Sequence, residues 1–197
     1  GDHETEVLVM GAGITGLSVA LELLLRGRKV TVCESNTIGA GSTGGSTGHL
    51  DAHPEIGPRK LIERMGVDLA AEFTRLRLNA IEHIGQRSDG TCDFKRIPGY
   101  YYTEVKGNLD AVRSECEDAL RIGLDARWVD SVPIAKAVGG YKIEGMASID
   151  SMAYLLRLAD LVHEHGGTIF EQTMISGPVE IHPVSLRTSA GEIRFDQ

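Results

Sequence analysis

Short apolar runs alternate with glycine-rich breaks along this chain, and the spacing inside each run predicts its element. Glu6 to Met10 reads as a short apolar strand, and Gly11 to Gly16 as a glycine-rich turn. Leu17, Ala20, Leu21 and Leu24 then recur at the three- and four-residue spacing of a helix. Gly27 stops that helix where a left-handed cap belongs. Lys29 to Cys33 is apolar and β-branched, as a buried parallel strand is. Strand, helix and strand in succession make a βαβ unit.

Ile38 to Leu50 has neither a helical nor a strand period. Five glycines and four Ser/Thr residues fall between Gly39 and Gly48, which predicts a loop with accessible backbone amides. Pro54 and Pro58 extend the break. From Asp68 the pattern turns helical, with Leu69, Phe73, Leu76, Ala80 and Ile84 in one apolar stripe and Glu72, Arg75, Arg77 and Glu82 off it. Phe94 to Glu104 is strand-like, interrupted at Pro98-Gly99. Asn108 can cap a helix carrying Val112, Cys116 and Leu120 and closed by Gly123, and Leu124 to Val129 reads as a further strand. Asp150 or Ser151 caps a helix through Leu155, Leu158 and Val162 that stops at Gly166-Gly167, with a strand at Thr168 to Phe170. Val179 to Ile181, Ser185 to Thr188 and Glu192 to Phe195 alternate like an antiparallel meander, turning near Ala190-Gly191.

Composition narrows the function. The 197 residues include 24 glycines, about twice the usual share. Hydrophobic residues at 42% support a packed core and exclude disorder. The apolar runs, such as Val7 to Met10 and Leu23 to Leu25, are far too short to span a bilayer. Twenty Lys and Arg against 28 Asp and Glu give a formal net charge of −8 with no basic stripe, which disfavours nucleic acid as a partner. Cys33, Cys92 and Cys116 are odd in number and widely spaced, which argues against a disulfide framework or a zinc site and fits a reducing, cytoplasmic setting. His163 and His165 stand two apart on a helix, hence on different faces, so no metal pair is expected. Alternation turns Tyr101 away from Tyr100 and Tyr102, which favours sheet packing over a three-ring cage.

The glycines carry the chemistry. Gly11, Gly13 and Gly16 form G-x-G-x-x-G after a strand and at the opening of a helix, the context that this motif needs. Gly11 permits the tight turn, Gly13 lets a pyrophosphate approach the backbone, and Gly16 permits close helix packing. The helix N-terminus offers unpaired N–H groups and a positive dipole end to phosphates. Glu34 closes the second strand, where its carboxylate can accept from both ribose hydroxyls and would repel a 2′-phosphate. NAD and FAD both satisfy this fingerprint. Ser42, Thr43, Ser46 and Thr47 in the second loop could add donors to the pyrophosphate; a flexible linker is the plain alternative.

The run from Val9 to Ser18, the pair Glu34-Ser35 and the loop from Gly39 to Leu50 resemble the D-amino-acid oxidase-like FAD-dependent oxidoreductases, a superfamily with glycine oxidase and sarcosine oxidase among its members. Ile149 to Ser151, the stretch from Gly166 to Thr173 and Thr188 to Ile193 are similar to it as well. The Ser/Thr/Gly loop and a helix after Pro58 look most like members with an additional Rieske iron–sulfur domain, although no Rieske ligands occur here. The resemblance implies that Gly11, Gly13, Ile14, Thr15 and Gly16 form the pyrophosphate turn, Glu34 binds the ribose and Ser35 neighbours the adenine side. It implies that Ser42 and Thr43 form a second phosphate loop, that Gly48, His49 and Leu50 lie beside the isoalloxazine, and that the Ile175 main chain meets the adenine edge. Gly45 stands nearest the position where some relatives attach flavin through a histidine, so noncovalent FAD is implied.

The expected fold is α/β: a Rossmann-like FAD-binding domain from residues 1–52 and 148–197, interrupted by a cap region over 53–147. Family members continue past the equivalent of Phe195 into a closing apolar strand, so the resemblance implies the N-terminal portion of a longer oxidoreductase or one piece of a split subunit. The expected reaction oxidises the C–N bond of an amine or amino acid by hydride transfer to flavin. Its partners are that small molecule and the remainder of the parent chain or a complementary subunit. A noncatalytic flavin-binding or structural subunit and an NAD-dependent dehydrogenase are the alternatives, and no catalytic residue is assigned.

Overall fold

From the N-terminus the chain runs through β1 (His3–Glu4), β2 (Val7–Met10), α1 (Ile14–Leu25), β3 (Val30–Cys33) and β4 (His49–Leu50). There follow α2 (Pro58–Met65), α3 (Val67–Ser88), β5 (Lys95–Arg96), β6 (Gly99–Thr103), a 3-10 turn at Lys106–Asn108 and α4 (Leu109–Arg121). The last elements are β7 (Ala126–Val129), β8 (Gly139–Ile143), β9 (Ala147–Ser148), α5 (Ser151–Glu164), β10 (Thr168–Phe170), β11 (Ile175–Ile181), β12 (Val184–Thr188) and β13 (Gly191–Arg194). This computed structural model describes residues 2–181 and 184–197. It divides into two units: Gly1–Thr47 with Asp150–Gln197, and Gly48–Ile149.

The first unit is built on a parallel three-stranded sheet in the order β10-β3-β2. All four residues of the central strand β3 are buried, which is why it reads as a continuous apolar run rather than an alternation. Helices α1 and α5 pack on each other, and Gly167 lets them close: a Cβ there would lie 2.8 Å from Leu24 and 2.7 Å from Val162. The meander forms a second sheet, β1-β13-β12-β11, tied to the first by a bond between His3 Nε2 and Thr31 Oγ1 of 2.9 Å and by an edge contact of the His3 ring with Phe170. Past β13, the Asp196 and Gln197 N–H groups both donate to the Glu6 carbonyl at 3.0 Å, and the Leu8 N–H donates to the Gln197 carbonyl at 2.9 Å. Those bonds lie along the edge of β2 that β3 leaves open.

The second unit holds two three-stranded sheets, β4-β9-β5 and β6-β8-β7. Pattern reading gives Gly139–Ile143 no element, yet β8 is the centre of its sheet and carries the fully buried Tyr141. Pro58 does not extend a break but starts α2 at its first turn, where a missing N–H costs nothing. That helix is fastened to α4 through Asp118, which accepts from Arg59 Nε at 3.0 Å and from Arg121 Nη1 at 2.7 Å. The expected Asn108 cap is also corrected: Asn108 sits at the right place but makes no side-chain cap bond. Asp150, by contrast, caps α5 by accepting from the Ala153 N–H at 2.9 Å. Helix α3 is present but buries Ala70, Thr74, Ile81 and Ser88, not the large apolar stripe that the pattern singled out.

A polar link runs into the core of this unit. His53 Nε2 lies 2.8 Å from the Tyr141 hydroxyl, and the His53 ring stacks on Tyr101 at 5.2 Å. Burial pushes the His53 imidazolium below its ordinary 6.5, against the opposing pull of Asp51. The unfolded chain therefore takes up this proton at a higher pH than the folded chain does. Stability present above about pH 6.5 is lost as the pH falls toward the folded value. Thermal melts of His53→Gln are expected to lose less stability between about pH 7 and 5 than the parent; equal slopes would assign the loss to other groups.

Candidate functional site

The first glycine turn is shaped by an atomic exclusion. Gly11 has a φ of +96°, a conformation that side chains resist. A Cβ at Gly16 would lie 1.9 Å from the Gly11 carbonyl oxygen. Position 16 is thus closed by the turn itself, more than by the strand beneath, whose Val9 side chain is 3.4 Å away. Gly13 differs: a Cβ there meets only Thr43 Oγ1, at an ordinary 3.6 Å. No neighbour in the fold requires glycine at 13, so the cradle is left open to a ligand.

The second loop repeats this construction. Gly39 has a φ of +84°, and a Cβ at Gly44, five residues on, would lie 2.2 Å from the Gly39 carbonyl oxygen. The spacing equals that of Gly11 and Gly16, a signal carried by the sequence itself. Ser151, at the start of α5, donates from its hydroxyl to the Thr43 carbonyl at 3.1 Å and holds the loop in place. The Ile14 N–H of α1 donates to Thr43 Oγ1 at 3.3 Å, so the two turns meet at a helix N-terminus.

Glu34 completes the group. Its Oε2 accepts from the Ala12 N–H at 2.9 Å, and its Oε1 accepts from the Asn36 N–H at 2.9 Å and the Ser35 hydroxyl at 3.3 Å. The Asn36 and Ala12 amides hold the carboxyl below its usual 4.5, so it stays ionised through neutral pH. Two carboxylate oxygens carry about four acceptor sites, which leaves capacity for a ribose hydroxyl. Ala12, Gly13, Glu34, Ser35, Asn36 and the stretch from Gly39 to Thr43 enclose a cavity of about 240 Å³. A drug-sized ligand fills about 300–1,000 Å³, so this space takes one portion of a dinucleotide. Open glycine backbone, a helix N-terminus, hydroxyls and one ionised carboxylate are the donor and acceptor set that a diphosphate joined to a ribose requires.

The remaining candidates fall elsewhere. Thr15 is exposed on the first turn of α1. Ile175 opens β11, the edge strand of its sheet. The Ser189 N–H donates to the Met174 carbonyl while Ile175 faces Thr188, so the N–H and C=O of Ile175 itself point away from β12 to the open side. That backbone is available to a ligand whatever the side chain. Gly48, His49 and Leu50 belong to the other unit. There Gly48, at a φ of +69°, is closed by the Ile149 carbonyl, 1.9 Å from where a Cβ would be. His49 and Leu50 pair with Ser148 and Ala147, so the end of the expected loop is a short strand. His49 is exposed and shares a cavity of about 380 Å³ with Asp51, His53, Glu55 and Arg77. Among the described residues no group of three or more His, Cys, Asp or Glu is placed to hold a metal, and no helix is long and apolar enough to cross a membrane.

Residues 6–196 match the family described as DAO, FAD dependent oxidoreductase. The chain belongs to that family. A Bacillus subtilis (strain 168) protein named as a Rieske 2Fe-2S iron-sulfur protein, YhfW, is 27% identical over 180 residues, 88% of this chain and 35% of the relative. Gamma-glutamylputrescine oxidoreductase of Escherichia coli (strain K12) is 25% identical over 199 residues, 95% of this chain and 46% of the relative. Among solved structures, L-proline dehydrogenase from P. horikoshii superposes with a TM-score of 0.77 at 19% identity, over 99% of this chain and 52% of that one. The chain therefore spans between about a third and a half of the length of these relatives.

The two glycines separate fold from binding. Gly16→Ala is expected to destabilise the first unit by about 3–5 kcal/mol in urea unfolding, because the Gly11 carbonyl must move. Gly13→Val is expected to leave the helical circular dichroism in place and abolish FAD binding. Stoichiometric FAD in that variant would remove Gly13 from the site.

Proposed function

We propose that the first unit is the FAD-binding portion of an oxidoreductase, and that the whole protein oxidises the C–N bond of an amine or amino acid by hydride transfer to flavin. The observation that carries this reading is the convergence of two glycine turns of equal construction and one ionised carboxylate on a single cavity. In this reading Gly11 to Gly16 and Ser42-Thr43 bind the pyrophosphate, Glu34 the ribose, Ser35 and the Ile175 backbone the adenine end, and Gly48 to Leu50 the flavin end. Bound noncovalently, FAD supplies a two-electron acceptor.

The protein's own part is to hold the cofactor. The amides at the start of α1 favour the diphosphate charge, and the hydroxyl of Thr43 must yield the Ile14 N–H to a phosphate oxygen. Glu34, ionised, selects the unphosphorylated ribose. The choice of an amine substrate draws on the names of the relatives, an oxidoreductase of gamma-glutamylputrescine and a dehydrogenase of L-proline. Turnover in this reading needs the further length of chain that those relatives carry, as one polypeptide or as a complementary subunit. A cytoplasmic setting belongs to the same reading, supported by three buried, unpaired thiols.

Glu34→Ala is expected to weaken FAD more than FMN, which lacks the adenosine ribose, in a fluorescence titration. Equal losses for both would count against the ribose role. Anaerobic reduction of the flavin by a panel of amines and amino acids tests the chemistry: bleaching supports an amine oxidoreductase, and flavin that binds but never bleaches supports a noncatalytic subunit.

A further inference from the structure

Helix α3 is turned the wrong way round for a helix whose only partner is its own core. Its inward face is made of small residues, Ala70, Thr74 and Ser88 with Ile81, while Leu69, Phe73 and Leu76 face solvent with 63%, 40% and 54% of their surface exposed. Single exposed apolar residues need no explanation, but a contiguous row does. Leu69, Phe73, Leu76 and Ala80 follow one another at intervals of four, three and four residues. That is the spacing of a coiled-coil seam, with Leu69 and Leu76 at d and Phe73 and Ala80 at a. Ala70, Thr74, Ile81 and Ser88 lie about 100° round the helix from this row, so burying them leaves Leu69, Phe73 and Leu76 exposed, while Ala80 lines the cavity shared with His49.

Charge beside the seam selects the occupant. In that register Glu72 is a g position and Arg77 the e position five residues on. Two parallel copies of α3 bring Glu72 of each beside Arg77 of the other, on both flanks of the seam. Within one copy Glu72 holds Arg75 at 2.8 and 2.6 Å, and Arg77 donates to the Asp51 carbonyl at 2.6 Å. A carboxylate with about four acceptor sites and a guanidinium with five donors keep capacity for a second partner.

We propose that the outward face of α3 is a self-association surface, on which a second copy of this chain packs its own α3 in parallel. The seam covers about three helical turns, shorter than the face of an obligate dimer, so association is weak and concentration-dependent.

Sedimentation velocity over a concentration series is the test. The 197-residue chain is expected to move from monomer toward dimer as its concentration rises. Leu76→Glu, at an exposed position that the fold does not need, is expected to stay monomeric with an unchanged circular dichroism spectrum. Glu72→Arg is expected to weaken the dimer by about tenfold, and adding Arg77→Glu to restore it. Leu76→Cys, oxidised in air so that oxygen takes the two electrons and two protons, is expected to form a disulfide with its own copy, since parallel d positions face each other. A chain monomeric at every concentration overturns the proposal. So does a Leu76→Glu variant that dimerises as the parent does, or a charge reversal that restores nothing.

Discussion

The Gly11 carbonyl oxygen sits where a side chain at residue 16 would begin. That contact brings the first turn of α1 against the end of β2, and the rest of the site is arranged around it. The approach exposes the Ala12 and Ile14 amides, which then need acceptors. Glu34 reaches the first from the end of β3, and Thr43 reaches the second from the following loop. One exclusion between two glycines thus fixes where the second strand must end and how far the next loop must travel. Any side chain at 16 would push the turn open and separate all three groups.

The same device at Gly39 and Gly44 explains why a stretch so rich in glycine is a defined structure and not a linker. Gly39 would clash with Met152 of α5 if it carried a Cβ, at 2.4 Å from the sulfur, so this loop is pressed onto a helix that enters more than a hundred residues later. Ser151 makes that long-range closure polar as well as steric. The chain returns from its second unit at Asp150, and the residues of the return are the ones that fasten the loop it left by.

Local pattern revealed the elements whose burial is one-sided or complete along their whole length. The βαβ unit, α5 and the meander were legible because β3 is buried throughout and α5 hides Leu155, Leu158 and Val162 at helical spacing. Strand β8 was not, since it opens on Gly139-Gly140 and has only Tyr141 and Ile143 to announce it. Gly140 is there because a Cβ would lie 2.4 Å from the Tyr101 carbonyl, a cross-strand reason invisible to any window along the chain. For α3 the period was legible but its direction was not: periodicity tells which residues share a face, not which face turns inward. In the site, the glycine motif and Glu34 were legible from spacing, whereas the role of Ser151 depends on a contact across 108 positions.

The Ala12 and Ile14 amides have acceptors within the chain, and this bears on how the proposed site can bind a ligand. A helix N-terminus with an unpaired amide is costly when shielded from water, and here a neutral hydroxyl and a carboxylate take up that need. In the proposed reading, binding a diphosphate is an exchange. The Thr43 hydroxyl would give up the Ile14 N–H, and the gain would come from replacing a neutral acceptor by an anionic one, about twice as strong to the same donor. Glu34 cannot be displaced in that way, because its charge would then stand beside the incoming phosphate. In that reading it would remain on the Ala12 N–H and repel any group that brings a phosphate to the ribose. Retention at Ala12 and exchange at Ile14 would let one turn stay folded without a cofactor and still discriminate when one binds.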